Sequence, residues 1–438
     1  MSGIAGILRR DGRPIPENWV NWLQESIAQR GSDSAGKFRD TADTSAGKLE
    51  IVLLHQQMGV CGISQPIVIE RDDHIVAALA IDGPSDCVSN SQFPIIFPKD
   101  VPFAAAFWDA QSLQLHLVRG GSGQKPLYML DLGEAGDGII FCSIPTPLNS
   151  IARELSLDLE ISVAAMQQYL QLGFVTEENS LISPVKAVPR SDEINWFTSD
   201  QHSSIDHAIE GSPSPASDLQ DLVSQLGQPF ADATLMSRLW TYKAQKNQMK
   251  TIKHGLQSDT MRMQQAKSLA SWHSVQSLFP GQSAARDWVK FGITTVDSNL
   301  TFDMIEKITG YEFETPYVPK FNGTIYEQLA SYDAACRVPD CVLRGIDAAA
   351  MSAGVDVHVE DGSEPYSFKP IPLETWFRSD QGDLGQLAGD VFTSENVFDN
   401  APIDRLVVQK MFEDHRSGRI SQARPLFALL TLGLWLRL

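Results

Sequence analysis

The sequence predicts an α+β protein, with stacked sheets in the first half and a shorter, mostly helical second half. Three observations carry that expectation. Apolar, β-branched runs separated by turn formers crowd the first 143 residues, as short strands do. Helix-period patterns dominate after residue 217. A polar stretch over 199–217, containing Gly211-Ser212-Pro213-Ser214-Pro215, separates the two and has the composition of a linker.

In chain order, the first strand starts at the terminus with Met1-Ser2-Gly3-Ile4-Ala5-Gly6-Ile7. Residues 17–30 form an amphipathic helix, with Trp19, Trp22, Leu23 and Ile27 on one face. Strands follow at Leu49–Gly59 and Ile67–Ile81, then an alternating pair at Ala104–Asp109 and Leu113–Arg119. The polar turn Gly120–Gly123 leads into Lys125-Pro126-Leu127-Tyr128. Helices are expected over 153–171, Met236–Gln248, Asp259–Ser271 and Pro425–Leu438. The last of these is apolar all round, the mark of a buried helix.

Composition narrows the partners. The chain has 438 residues, with 54 acidic against 35 basic side chains and a net charge of -19. Such a field disfavours nucleic acid and anionic membranes. The five cysteines are scattered, without zinc-site spacing, so reduced thiols are expected. No targeting segment or spanning apolar run is evident, and the expected location is the cytoplasm.

The terminus invites a chemical reading. Residue 2 is small enough for Met1 to be removed, leaving Ser2 as a free N-terminal residue. An α-amine beside a hydroxyl is a self-contained base and nucleophile. The alternative is an ordinary first strand.

Ser2–Ile7, Arg30-Gly31-Ser32-Asp33 and Gly123-Gln124-Lys125-Pro126-Leu127-Tyr128 resemble the glutaminase half of asparagine synthetase. That family couples an N-terminal-nucleophile amidotransferase domain to an ATP-using synthetase domain. The resemblance implies an N-terminal-nucleophile-type sandwich over 1–198, a linker over 199–217, and a truncated, mostly helical asparagine-synthetase-like domain over 218–438. Val338–Met351, Val355–Val359 and His415-Arg416-Ser417-Gly418 extend it towards the last residue.

The departures lie at the chemical positions. The family opens with a nucleophilic cysteine, where this chain has Ser2. Its glutamine carboxylate is implied to rest on an arginine, replaced here by Gln57, and a neutral amide cannot supply a bidentate guanidinium contact. The family's Asn-Gly-Glu segment reads Asp82-Gly83-Pro84. A carboxylate at an oxyanion position repels developing negative charge, and proline offers no N–H. The glutaminase half is expected to be inactive.

The family's pyrophosphate loop, Ser-Gly-Gly-Xaa-Asp-Ser, is missing from the sequence, as is any other phosphate-loop motif. The chain passes from the linker to Gly227-Gln228-Pro229-Phe230-Ala231-Asp232, which resembles a segment well beyond that loop. His254–Met261 stands where the family has a magnesium–pyrophosphate turn, with Asp259 as the one relic carboxylate, although a helix N-cap is the favoured reading of that residue. No cofactor or metal is expected.

These readings favour a pseudoenzyme, a non-catalytic subunit or binding partner in amide-forming or peptide-modifying biosynthesis. Its partner would be another protein, such as an intact synthetase-family enzyme, or a second copy. Two enzymatic alternatives stand beside it. One is an ATP- and Mg-dependent amide ligase of the asparagine-synthetase type; the other is an N-terminal serine hydrolase.

Overall fold

The computed structural model describes residues 2–31, 33–44, 47–58, 65–71, 74–83, 102–133, 136–176, 180–190, 214–246, 251–256, 300–312, 325–361, 371–379 and 382–438. Met1, Ser32, Pro84, Asp259, the expected helix over 259–271 and most of the expected linker lie outside them.

Strand β1 (Ser2–Arg9) runs through the middle of the first half and is buried along its whole length. Helix α1 (Glu17–Ala28) follows and buries Trp19, Val20, Leu23 and Ile27. Next come β2 (Ser34–Thr44) and β3 (Gly47–Gln57), a long antiparallel hairpin. Strands β4 (Ile67–Arg71), β5 (His74–Asp82), β6 (Ala104–Asp109) and β7 (Gln114–Arg119) pair in sequence as a four-stranded antiparallel sheet. Strands β8 (Tyr128–Asp131) and β9 (Gly138–Cys142) return to the first sheet, with β9 beside β1.

The two sheets stack. Ile4, Leu8, Leu49, Ile51 and Leu53 of the larger sheet share one cluster with Ala78, Ala80, Ala104, Ala106 and Trp108 of the smaller. The opposite face of the larger sheet, with Ala5, Ile7, Val52, Leu54 and Ile140, packs on α1 and on α2 (Thr146–Glu154). The result is a helix layer on two stacked sheets. Alternation explains why β1 reads as continuously apolar: a strand between two apolar layers buries both of its faces.

Gly6 is required by that crowding. A Cβ there would come within 2.5 Å of both the Phe141 ring and the Val52 carbonyl oxygen.

Three expectations are corrected. The run Ile67–Ile81 is a hairpin rather than one strand, with β4 and β5 antiparallel. Strand β2 was not expected, since Gly36, Lys37, Arg39 and Asp40 dilute its apolar signal. The helix expected over 153–171 is two, α2 ending at Glu154 and α3 (Val163–Leu172) starting behind the cap Ser162, whose Oγ accepts from Ala165 N. The side chains of α3 join the helical core of the second half, where the Tyr169 hydroxyl donates to the Ala428 carbonyl at 2.9 Å.

That second half begins with α4 (Pro215–Leu226) and α5 (Thr234–Gln245). Further on lie α6 (Phe302–Thr309), α7 (Ile325–Tyr332), a π-helical stretch Asp333–Leu343 containing Pro339, and α8 (Arg344–Ala353). Helices α9 (Leu373–Arg378), α10 (Asp383–Thr393), α11 (Arg405–Arg416) and α12 (Ala423–Leu436) close the chain. Residues 425–435 of α12 are all buried, as its apolar composition requires. His254 and Gly255 lie in a strand, Thr251–Leu256, paired parallel with Asp356–Asp361. The rest of the expected turn, 257–261, lies outside the described residues. Among the described residues no helix is long and apolar enough to cross a membrane.

Candidate functional site

Residues directly opposite each other in an antiparallel ladder share a face. Ser2 stands opposite Gln57, and Ile4 opposite His55. Because Ile4 points between the sheets, Ser2, His55 and Gln57 do as well. Asp82 has the same parity as Ala78 and Ala80, the inward residues of β5. Four polar side chains therefore meet at one end of the sandwich, facing its interior.

Ser2 is held there by Asp82. Its backbone N donates to Asp82 Oδ1 at 3.1 Å, and its Oγ donates to the same oxygen at 3.4 Å. Gln57 does not reach into this contact; its Oε1 accepts from Ser34 Oγ at 3.4 Å. The Gln57 backbone lies against Gly31, where a Cβ would come within 2.3 Å of the Gln57 carbonyl carbon. Gly83 abuts Phe103, with 2.8 Å from a built Cβ to the Phe103 Cβ.

Three further charges complete the group. Arg30, just past the end of α1, donates from Nε to the Ser2 carbonyl at 3.1 Å and from Nη2 to Asp82 Oδ2 at 3.0 Å. The same Nη2 lies 2.6 Å from Asp347 Oδ2, on α8. Lys125, in the turn before β8, places Nζ 2.8 Å from Asp347 Oδ1 and 3.4 Å from Asp82 Oδ1. Arg30, Asp82 and Asp347 are at most 1% exposed and Lys125 5%. Two cations and two carboxylates thus alternate in a closed, buried, charge-balanced set.

Burial by itself would push the Asp82 carboxyl up; Lys125 first, then Arg30, outweigh it and hold the group below the usual carboxylate range. Burial opposes the charge on Lys125 too, and Asp347 and Asp82 reverse that, raising its ammonium. The Arg30 guanidinium is likewise raised, Asp347 and Asp82 overcoming its burial. His55 goes the other way. Burial pushes its imidazole down to about 4, despite the Asp82 charge and the Ile81 carbonyl 3.2 Å from Nε2. At neutral pH it is uncharged.

A thiol also lies close by. Cys142 on β9 is fully buried, and burial pushes it up to about 12. A thiol that stays protonated is a poor nucleophile.

Chemically this end of the sandwich is closed. Ser2 is 4% exposed, and its hydroxyl faces the Asp82 carboxylate. Cavities among the described residues lie elsewhere. A water-sized one of about 20 Å³ touches Phe174, Phe230 and Arg344; an open groove of about 490 Å³ runs between α10 and α11. Among the described residues no group of three or more His, Cys, Asp or Glu could hold a metal ion.

The structure brings Ser2 and Asp82 into contact, with Gln57 on the same face but bonded to Ser34; sequence reasoning missed the roles of Arg30, Lys125 and Asp347. Each sits inside a motif quoted for family resemblance. A signal was available: a carboxylate on an inward strand position needs a cation, since an unpaired buried charge is prohibitively costly.

The family model described as a glutamine amidotransferase domain matches residues 100–205. That range carries Lys125, β6 to β9 and α2, and leaves out Ser2, Gln57 and Asp82. No curated protein matches the chain.

Proposed function

We propose that this chain is an asparagine-synthetase-like pseudoenzyme, a glutamine-amidotransferase scaffold acting as a non-catalytic partner in amide-forming or peptide-modifying biosynthesis. The amidotransferase match over 100–205 supports the scaffold. One observation carries the loss of activity: the pocket facing Ser2 is filled by the Arg30–Asp82–Lys125–Asp347 set.

The geometry counts against a serine hydrolase for two reasons. An acyl-transfer site needs donors aimed at the developing oxyanion, and Asp82 presents acceptors there. An α-amine freed at Ser2 would also have Asp82 Oδ1 3.1 Å away, and a carboxylate so close favours the ammonium. An ammonium cannot take the hydroxyl proton. The ligase alternative requires a phosphate-binding loop, for which the sequence supplies no motif.

The test is direct. Purified full-length protein, incubated with glutamine, should release no ammonia above the uncatalysed rate, and Ser2→Cys should not restore release. Titration with magnesium–ATP in a calorimeter should give no saturable heat. Glutamine hydrolysis that disappears in Ser2→Ala would overturn the proposal, and saturable nucleotide binding would return the ligase to first place. The partner role predicts co-elution with an intact synthetase-family enzyme of the same cell; separate elution at micromolar concentrations would remove it.

A further inference from the structure

We propose that the buried pocket at Ser2 is a carboxylate-binding site, occupied in cis by Asp347, and that this occupancy clamps the helical half onto the sandwich. The inference rests on the preceding reading only in taking the pocket as non-catalytic.

The sandwich alone builds the site. Arg30 and Lys125 bring two positive charges, and Asp82 returns one negative charge, leaving one cation uncompensated by the sandwich and buried in the full chain. Both cations are fixed by their own side of the molecule. Arg30 is anchored through Nε on the Ser2 carbonyl. Lys125 sits in a turn whose carbonyl oxygens, at Gly123 and Lys125, accept from the buried Arg119 at 2.8 Å.

Asp82 is fully engaged, with Oδ1 on Ser2 and Lys125 and Oδ2 on Arg30. The remaining reach of Arg30 Nη2 and Lys125 Nζ converges on one carboxylate. Asp347 answers with one oxygen to each, at 2.6 and 2.8 Å. These contacts are shorter than the 3.0 and 3.4 Å that the same cations make to Asp82. A two-point capture of this kind is how paired cations select a carboxylate.

The same helix docks a second group nearby. Arg344, one turn before Asp347, lies with Nη1 3.4 Å from the Tyr128 hydroxyl and its guanidinium 5.9 Å from that ring. Asp347 is therefore presented by a helix already seated on β8. Chemically, the pocket would accept any small carboxylate if the side chain were withdrawn.

Chemical rescue tests this. In the full-length Asp347→Gly variant, followed by far-UV circular dichroism at pH 7, the unfolding midpoint should fall by several degrees. Sodium formate should raise it saturably, beyond sodium chloride at equal ionic strength, and Lys125→Met should abolish that difference. A formate response no larger than chloride in folded Asp347→Gly would overturn the proposal. A charge-balance pair decides the matter should Asp347→Gly not fold. The double variant Lys125→Met/Asp347→Asn should unfold above either single variant, because it removes one charge of each sign. Losses that simply add would overturn the clamp. Neither measurement uses glutamine turnover, so a live glutaminase would defeat the earlier proposal and leave this one readable.

Discussion

His55 shows how burial can outweigh a neighbouring charge in setting a residue's chemistry. Its imidazole is pushed down to about 4 while the unfolded chain titrates near 6.5. Between these values the unfolded state binds more protons, so stability falls as pH drops from about 6.5 to 4. The full interval corresponds to about 3 kcal/mol. Asp82, held low, adds a second loss as pH falls below the unfolded value of about 3.9 and through its own folded value. Lys125 acts at the other extreme: its raised folded value gives stability that is whole below about pH 10.4 and lost as pH climbs beyond it. Denaturant melts at pH 7.5 and 5 should therefore differ in wild type and converge in His55→Gln. An unchanged difference would show that His55 is not the sensor. Asp82→Ala leaves two buried cations sharing one carboxylate and should cost about 3–5 kcal/mol. A loss under 1 kcal/mol in equilibrium unfolding would contradict the closed cluster.

Among elements, β1 governs the first half. It pairs with β3 over eight residues and with β9 over five, and its two faces serve separate clusters. Gly6→Ala is expected to destabilise the protein by about 1–3 kcal/mol through overpacking against Phe141 and the Val52 backbone. Urea unfolding at pH 7 measures it, and a neutral result would mean that the sheets can separate locally. Helix α11 offers a milder control. Asp404 accepts from Leu406 N and Val407 N, so Asp404→Ala should cost about 1 kcal/mol, at a site remote from the cluster.

Across the whole molecule the halves share polar contacts at several places. Beyond Asp347, Arg190 donates to the Ala335 carbonyl at 3.0 Å and Gln225 to the Gln29 carbonyl at 3.3 Å. Gly227, with φ +61, is pressed on Pro145, leaving 2.7 Å between a built Cβ and the ring. Scanning calorimetry of wild type should accordingly show one transition. Two resolved transitions would mean that the halves are independent despite these contacts.

The sequence by itself determined the order of elements that carry strong periodicity. α1, β1, β6, β7 and α12 are all legible, because a helix face or a doubly buried strand must repeat apolar residues at its own period. It also singled out Ser2 and Asp82, which the fold brings into contact. Strand β2 stayed hidden because an edge strand can be polar on one face and charged at intervals. The ion cluster was illegible for a different reason. Arg30 and Asp347 are 317 residues apart, and no local pattern records such a pairing. Only the tertiary structure decided that Asp82 is matched by two cations and closed by a carboxylate from another helix. The physical cause is the cost of burying charge, which is settled by whatever counter-charge the fold brings within reach.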